Sequence, residues 1–171
     1  SSLDIFGEVD VADLDLIGLD ESFYSGEGEI AFKTNVIFPP KKNPILRFRS
    51  DLSSILLNVP LVGLNKKKNQ LASFEIGWTR DQPIAISFNS GEYDVSGFLF
   101  LNSNHKIKKL ELDQVALGNY FKGEAVLTFG GVEKPDVLII KGPLYDYSNS
   151  PDYHIKSSNF DLEVKADISE L

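Results

Sequence analysis

Two histidines, a string of acids near the start and a run of three lysines are the residues whose chemistry must be weighed first. His105 lies in "NSNHKIK" and His154 in "PDYHIK", both at turns. A Ser-His-acid relay needs a serine held at a strained elbow, and no G-x-S-x-G or comparable motif supplies one. Both histidines read as solvated turn residues, and the chain as not an enzyme. Asp10, Asp13, Asp15, Asp20 and Glu21 offer carboxylates for calcium, yet their spacing fits neither an EF-hand nor an RTX loop. They read as the polar side of a strand followed by a turn. "GGVEKPD" has two glycines but no P-loop lysine, and reads as a hairpin connection. Without cysteine there is no thiolate nucleophile, thiolate metal site or disulfide. We expect no cofactor and no metal.

Lys66, Lys67 and Lys68 allow two readings. They are the solvated tip of a loop, or they contact lipid headgroups or an acidic neighbour, each cation near an anionic surface adding about 1 kcal/mol. Against a net charge of −8, from 17 basic and 25 acidic residues, they make a local spot rather than a field. That balance argues against nucleic acid as a partner, since a phosphate backbone needs a basic face.

The elements that carry these residues are strands. With 42% hydrophobic and 11% aromatic residues in 171, the chain has material for one well-built domain and too much for disorder. Apolar and polar residues alternate almost throughout, most clearly where Phe160, Leu162, Val164, Ala166 and Ile168 interleave with Asp161, Glu163, Lys165 and Asp167. In "KIKKLELDQVALG" the apolar parity changes from Leu110 and Leu112 to Val115 and Leu117, as one extra residue in a β-bulge would make it. A similar change in "EVDVADLDLIG" suggests a bulge around Ala12 and Asp13. Turn signals such as "FPPKKNP", "TRDQP" and "NSGEY" divide the chain into about ten or eleven strands of roughly 6 to 11 residues. No apolar run approaches the roughly 18 to 20 residues of a membrane-spanning helix. The opening "SSLDIFGEVDV" and the closing "FDLEVKADISEL" are in full strand rhythm. We therefore expect residues 1–171 to be a single all-β segment excised from a longer repetitive array.

Three stripes stand out. Ile55, Leu57 and Val59 share one parity; so do Phe74, Ile76 and Trp78; so do Ile84, Ile86 and Phe88. If the three strands pair antiparallel in sequence order, the stripes merge into one apolar surface. That surface is either the core of a two-layered protein or a lining for bound hydrocarbon, because burial yields roughly 25 cal/mol per Å² whichever hydrocarbon provides the cover.

The stretch "SDLSSILLNVPLVGLNKKKN" resembles the AsmA-like bridge proteins of bacterial envelopes, the YhdP and TamB relatives. Their pattern reads roughly "SDLxGxxLxLP", then a small apolar step and a lysine. Ser50, Asp51, Leu52, Leu57 and Pro60 meet it, followed by Leu61, Gly63 and Lys66; Ser54 replaces the usual glycine and Asn58 stands where an acid is frequent. Lys67 and Asn69 stand where relatives continue with Lys-Pro and a glycine. "YDVSGFLFLNSNHKIKKLELDQVALG" resembles one strand–turn–strand rung, and "PDVLIIKGPLYDYS" an element met by Gly142, Asp146 and Ser148. "FDLEVKADISEL" resembles the start of the next rung, and the likeness runs from about Gly28 onward. The resemblance implies a long twisted antiparallel sheet curled into an open hydrophobic trough. It also implies a periplasmic location, an inner-membrane anchor outside this segment, neighbouring β segments of the same chain as partners, and passage of phospholipid acyl chains towards the outer membrane. The alternative is a β-sandwich module binding glycan or protein through Tyr145, Tyr147 and Tyr153. A third possibility is a spacer whose apolar face neighbouring segments cover.

Overall fold

The computed structural model describes residues 1–13, 24–59, 64–104, 106–130, 136–145 and 162–168. Thirteen strands make up the described chain: β1 (Ser2–Asp10), β2 (Ser25–Glu27), β3 (Glu29–Ile37), β4 (Ile45–Ser50), β5 (Leu56–Val59), β6 (Leu64–Lys66), β7 (Ser73–Thr79), β8 (Ile84–Ser90), β9 (Tyr93–Leu101), β10 (Ile107–Leu117), β11 (Phe121–Thr128), β12 (Asp136–Tyr145) and β13 (Leu162–Ile168). Ten of them form one sheet in the order β1-β3-β4-β7-β8-β9-β10-β11-β12-β13, which does not close into a barrel. The three shortest, β2, β5 and β6, form a second sheet of order β2-β5-β6. The all-β expectation holds.

The described chain holds thirteen strands where about ten or eleven were expected, because β2, β5 and β6 are only three or four residues long, and two further expectations about the sheet need correction. The main sheet is antiparallel except at its end, where β13 runs parallel to β12. A parallel neighbour needs a crossover of a dozen or more residues, and here it falls in 146–161, outside the described residues. Near the start, β1 ends at Asp10 and residues 11–13 form a 3₁₀ turn in place of a bulge. The Asp10 carboxylate accepts the Ala12 N–H at 2.9 Å, which caps that turn. The second change of parity is a bulge, as read: Gly97 pairs with Leu112 and Ser96 with Gln114, leaving Asp113 as the extra residue. Leu110, Leu112, Val115 and Leu117 therefore share one side of the sheet. The "GGVEKPD" stretch joins strands that pair antiparallel, β11 and β12, as a hairpin connection must.

Cross-strand partners lie on the same face, so the register defines two faces. One carries the ion pairs Lys33–Asp4 at 2.9 Å, Arg49–Glu75 at 3.2 Å and Lys109–Glu111, and is polar over much of β1–β8 but also bears Phe98, Phe100, Val126 and Ile139 across β9–β12. The other is apolar. Nine apolar side chains are buried among the described residues, and they gather mainly in two clusters. In one, Leu52 and Ile55 pack with Val11, Ile30 and Ala72 against Phe74 and Phe88, so the small sheet and its approach cover one end of the apolar face. In the other, Val115, Tyr120 and Phe121 pack with Val95 and Ile140.

Candidate functional site

The apolar face is built rung by rung. One register row crosses all ten strands: Ile5, Thr34, Phe48, Ile76, Ile86, Gly97, Leu112, Ala125, Ile140 and Ala166. Thr34 is its only polar member. Adjacent rows add Leu3, Val36, Leu46 and Trp78 on one side, and Phe74, Phe88, Val95 and Val115 on the other. Phe32 stacks on Phe48 with ring centroids 5.0 Å apart, and Phe48 meets Phe74 edge-on at 6.2 Å. The result is a lining of branched aliphatic and aromatic side chains with few polar interruptions.

Exposure varies along it. Phe74, Ile76, Ile84, Ile86 and Phe88 are half-buried, whereas Trp78 is 41% exposed, Ile5 45% and Leu3 52%. Side chains sealed by a second layer would mostly fall below a tenth, as Ile55 does at 1%. Away from the small sheet, Val115 is buried with Tyr120 and Phe121 against Val95, Leu112 and Ile140, whereas Trp78, Ile5 and Leu3 are exposed.

Six of the nine stripe residues thus share one surface. Phe74 pairs with Phe88 and Ile76 with Ile86; Trp78 and Ile84 continue the two strands. The other three do not join as expected. β5 pairs with β2 and β6 and not with β7, because β4 already occupies that edge of β7. Ile55 is locked in the buried cluster, Leu57 packs beside it, and Val59 pairs with Leu64 in the small sheet. The true neighbours of the β7 stripe are Leu46 and Phe48 of β4, whose alternation with Arg47 and Arg49 was a legible sign of a two-sided strand.

The "SDL" residues have a clear structural task. Ser50 Oγ donates to the Ala31 carbonyl at 2.7 Å and accepts the Leu52 N–H at 3.1 Å. Asp51 Oδ1 accepts from the Ser53 N–H and hydroxyl, both at 2.9 Å. These bonds hold the chain as it leaves β4, with buried Leu52 at φ 51°, a conformation costing a branched residue about 1 kcal/mol or more. The turn sends β5 away from the main sheet.

Lys66 departs furthest from expectation: it is fully buried and not part of a solvated tip. Its Nζ donates to the Ile55 carbonyl at 2.9 Å and the Lys67 carbonyl at 3.1 Å. Burial holds the ammonium below the usual lysine range, and the charge of Asp51 opposes that shift. Asp51 itself is held below the usual carboxylate range, chiefly by the hydrogen bonds from Ser53. Lys67 and Lys68 are exposed, and Lys68 lies 3.7 Å from Glu27.

Of the remaining candidates, His105, His154, Asp15, Asp20, Glu21, Tyr147 and Tyr153 lie outside the described residues. Tyr145 ends β12, its backbone in register with Phe121. No group of three or more metal-binding side chains occurs among the described residues. No helix of the described chain is long and apolar enough to cross a membrane. No protein-family model, curated protein or solved structure matches the chain.

Proposed function

We propose that the chain is a non-catalytic carrier surface: phospholipid acyl chains lie along its apolar face while headgroups stay in water. In this reading the face is the lining of a trough within a longer periplasmic array, anchored to the inner membrane by a segment outside this one. Neighbouring β segments of the same chain extend it at the open strands β1 and β13.

The observation that carries the reading is the register row across ten strands, apolar except at Thr34, together with the incomplete burial of its flanks at Leu3, Ile5 and Trp78. Hydrocarbon is the natural cover for such a surface, at about 0.8 kcal/mol for each methylene removed from water. Devices that curve a sheet support it further. Bulges interrupt β10 and the β11–β12 pairing, and glycines allow close approach beside them: Gly97 against the Glu111 carbonyl of β10, and Gly123 against the Lys141 carbonyl of β12.

The test is direct. The purified chain is extracted with organic solvent and examined for phospholipid by mass spectrometry. A photoreactive residue replaces Ile76, Ile86 or, on the polar face, Ser87. Lipid adducts at the two isoleucines and none at Ser87 are expected. Lipid-free protein with no adduct at either isoleucine refutes the proposal.

A further inference from the structure

At the end of the sheet away from the small one, two connections rise side by side. They are residues 38–44 between β3 and β4 and residues 80–83 between β7 and β8, and the Ile45–Thr79 pair holds them together. Between them opens a cleft of about 590 Å³ whose polar lining is Lys41, Lys42, Asn43, Thr79, Arg80 and Gln82. The two connections bring three cations against a single carboxylate, Asp81, in a chain whose net charge is −8. Asp81 reaches Arg80 only at Nε, 3.8 Å away, and both side chains are more than 70% exposed. Neither lysine forms an ion pair among the described residues. Thr79 and Ile45 belong to the face of Arg47 and Arg49, and Trp78, exposed on the apolar face, directly precedes Thr79 in the chain.

We propose that this cleft is a subsite for a phosphoryl anion, whose source is either a lipid headgroup or a soluble phosphate ester. A guanidinium can grip two phosphate oxygens at once, and a lysine contributes a point charge that a third oxygen can use. Asn43, Thr79 and Gln82 add neutral donors around the rim. A nucleic acid is disfavoured because the rest of the chain would repel a polyanion. The assignment of the source to lipid rests on the carrier reading, in which tails lying over Leu46, Trp78 and Ile84 leave the head at this end of the strands, and the head reaches the cleft by rounding the strand ends at Ile45 and Thr79. The anion subsite itself does not depend on it.

The experiment uses the full chain and its single tryptophan, Trp78, as the fluorescent reporter, with isothermal calorimetry as a second readout. Three probes are titrated: glycerol 3-phosphate, dihexanoylphosphatidylglycerol below its micellar concentration, and the phosphate-free octyl glucoside. The double variant Lys42→Gln, Arg80→Gln, both on exposed turns, is titrated in parallel after its fold is checked by circular dichroism. We expect it to bind both phosphate compounds about tenfold more weakly, with octyl glucoside unchanged. Raised salt should weaken the wild-type phosphate binding in the same direction. Tighter binding of the short-chain lipid than of glycerol 3-phosphate identifies a lipid headgroup as the source; equal binding identifies a soluble ester and counts against the carrier reading alone. Equal affinities of wild type and variant for both phosphate compounds, or no binding of either, overturn the subsite.

Discussion

Replacing Gly97 with alanine tests whether the bend beside the β10 bulge is built by close backbone approach. A Cβ at Gly97 would stand 2.0 Å from the Glu111 carbonyl oxygen and 2.7 Å from the Leu112 Cα. Ordinary contact is above 3 Å, and the obstacle is backbone, so β9 and β10 must part by about 1 Å. Parting them forfeits one or two ladder hydrogen bonds, each worth about 1 kcal/mol, and adds about 1 to 3 kcal/mol of packing strain. The alanine returns about 0.4 to 1 kcal/mol through the stiffer unfolded chain. The sum is a loss of about 3 kcal/mol, or roughly 6 to 12 °C in Tm for a chain of this size. Gly77 in β7 supplies the control. A Cβ there meets Ala85 at an ordinary 3.7 Å, so Gly77→Ala should leave stability unchanged or raise it by up to about 1 kcal/mol. Urea and thermal unfolding by circular dichroism read both variants. If Gly97→Ala is as stable as Gly77→Ala, the two strands are not held at this distance and the account of the bend is wrong.

Further outcomes follow from the cap and the face. Lys66→Met keeps the buried stem but strands two carbonyls, and should cost about 2 to 4 kcal/mol, read by urea unfolding and by faster amide exchange in β5 and β6. The lysine's pKa is lowered on folding, so the unfolded chain binds its proton more tightly. Its contribution to stability is complete above the unfolded value near 10.5 and is lost as pH falls through the folded value. The stability gap between wild type and Lys66→Met should therefore widen as pH rises through that window; a gap that narrows refutes the burial account. Tyr93 pulls the other way in the wild type, because burial and the neighbouring Glu92 raise its pKa above 10.0, so only the difference between the two proteins is diagnostic. Ile76→Asp should abolish lipid capture, read by mass spectrometry, and lower Tm by several degrees, since the side chain is half-buried between Phe48 and Ile86; lipid capture at the wild-type level by the folded variant would refute its place in the lining. Acrylamide should quench Trp78 readily in lipid-free protein and much less after lipid loading.

Alternation alone settled which side chains share a face within a strand, because successive Cβ atoms in a pleated chain point to opposite sides. That is why Phe74, Ile76 and Trp78 group by spacing alone, and why the change of parity after Leu112 marks a bulge. A bulge adds one residue, and a period of two records it. Which strands become neighbours is a different matter, since every apolar stripe is compatible with every other. β4 takes the edge of β7 that the sequence order offered to β5, and β13 joins β12 in parallel, through pairings between residues far apart in the chain. Lys66 could not be placed from its neighbours, for its burial depends on the Ile55 carbonyl eleven residues away and on the turn made by Ser50 and Asp51. The cationic cleft likewise exists only because β4 pairs with β7 and sets "PPKKNP" beside "RDQP". Local periodicity is written in the spacing of residues; the meeting of distant carbonyls, charges and strand edges is decided by the free energy of the assembled sheet.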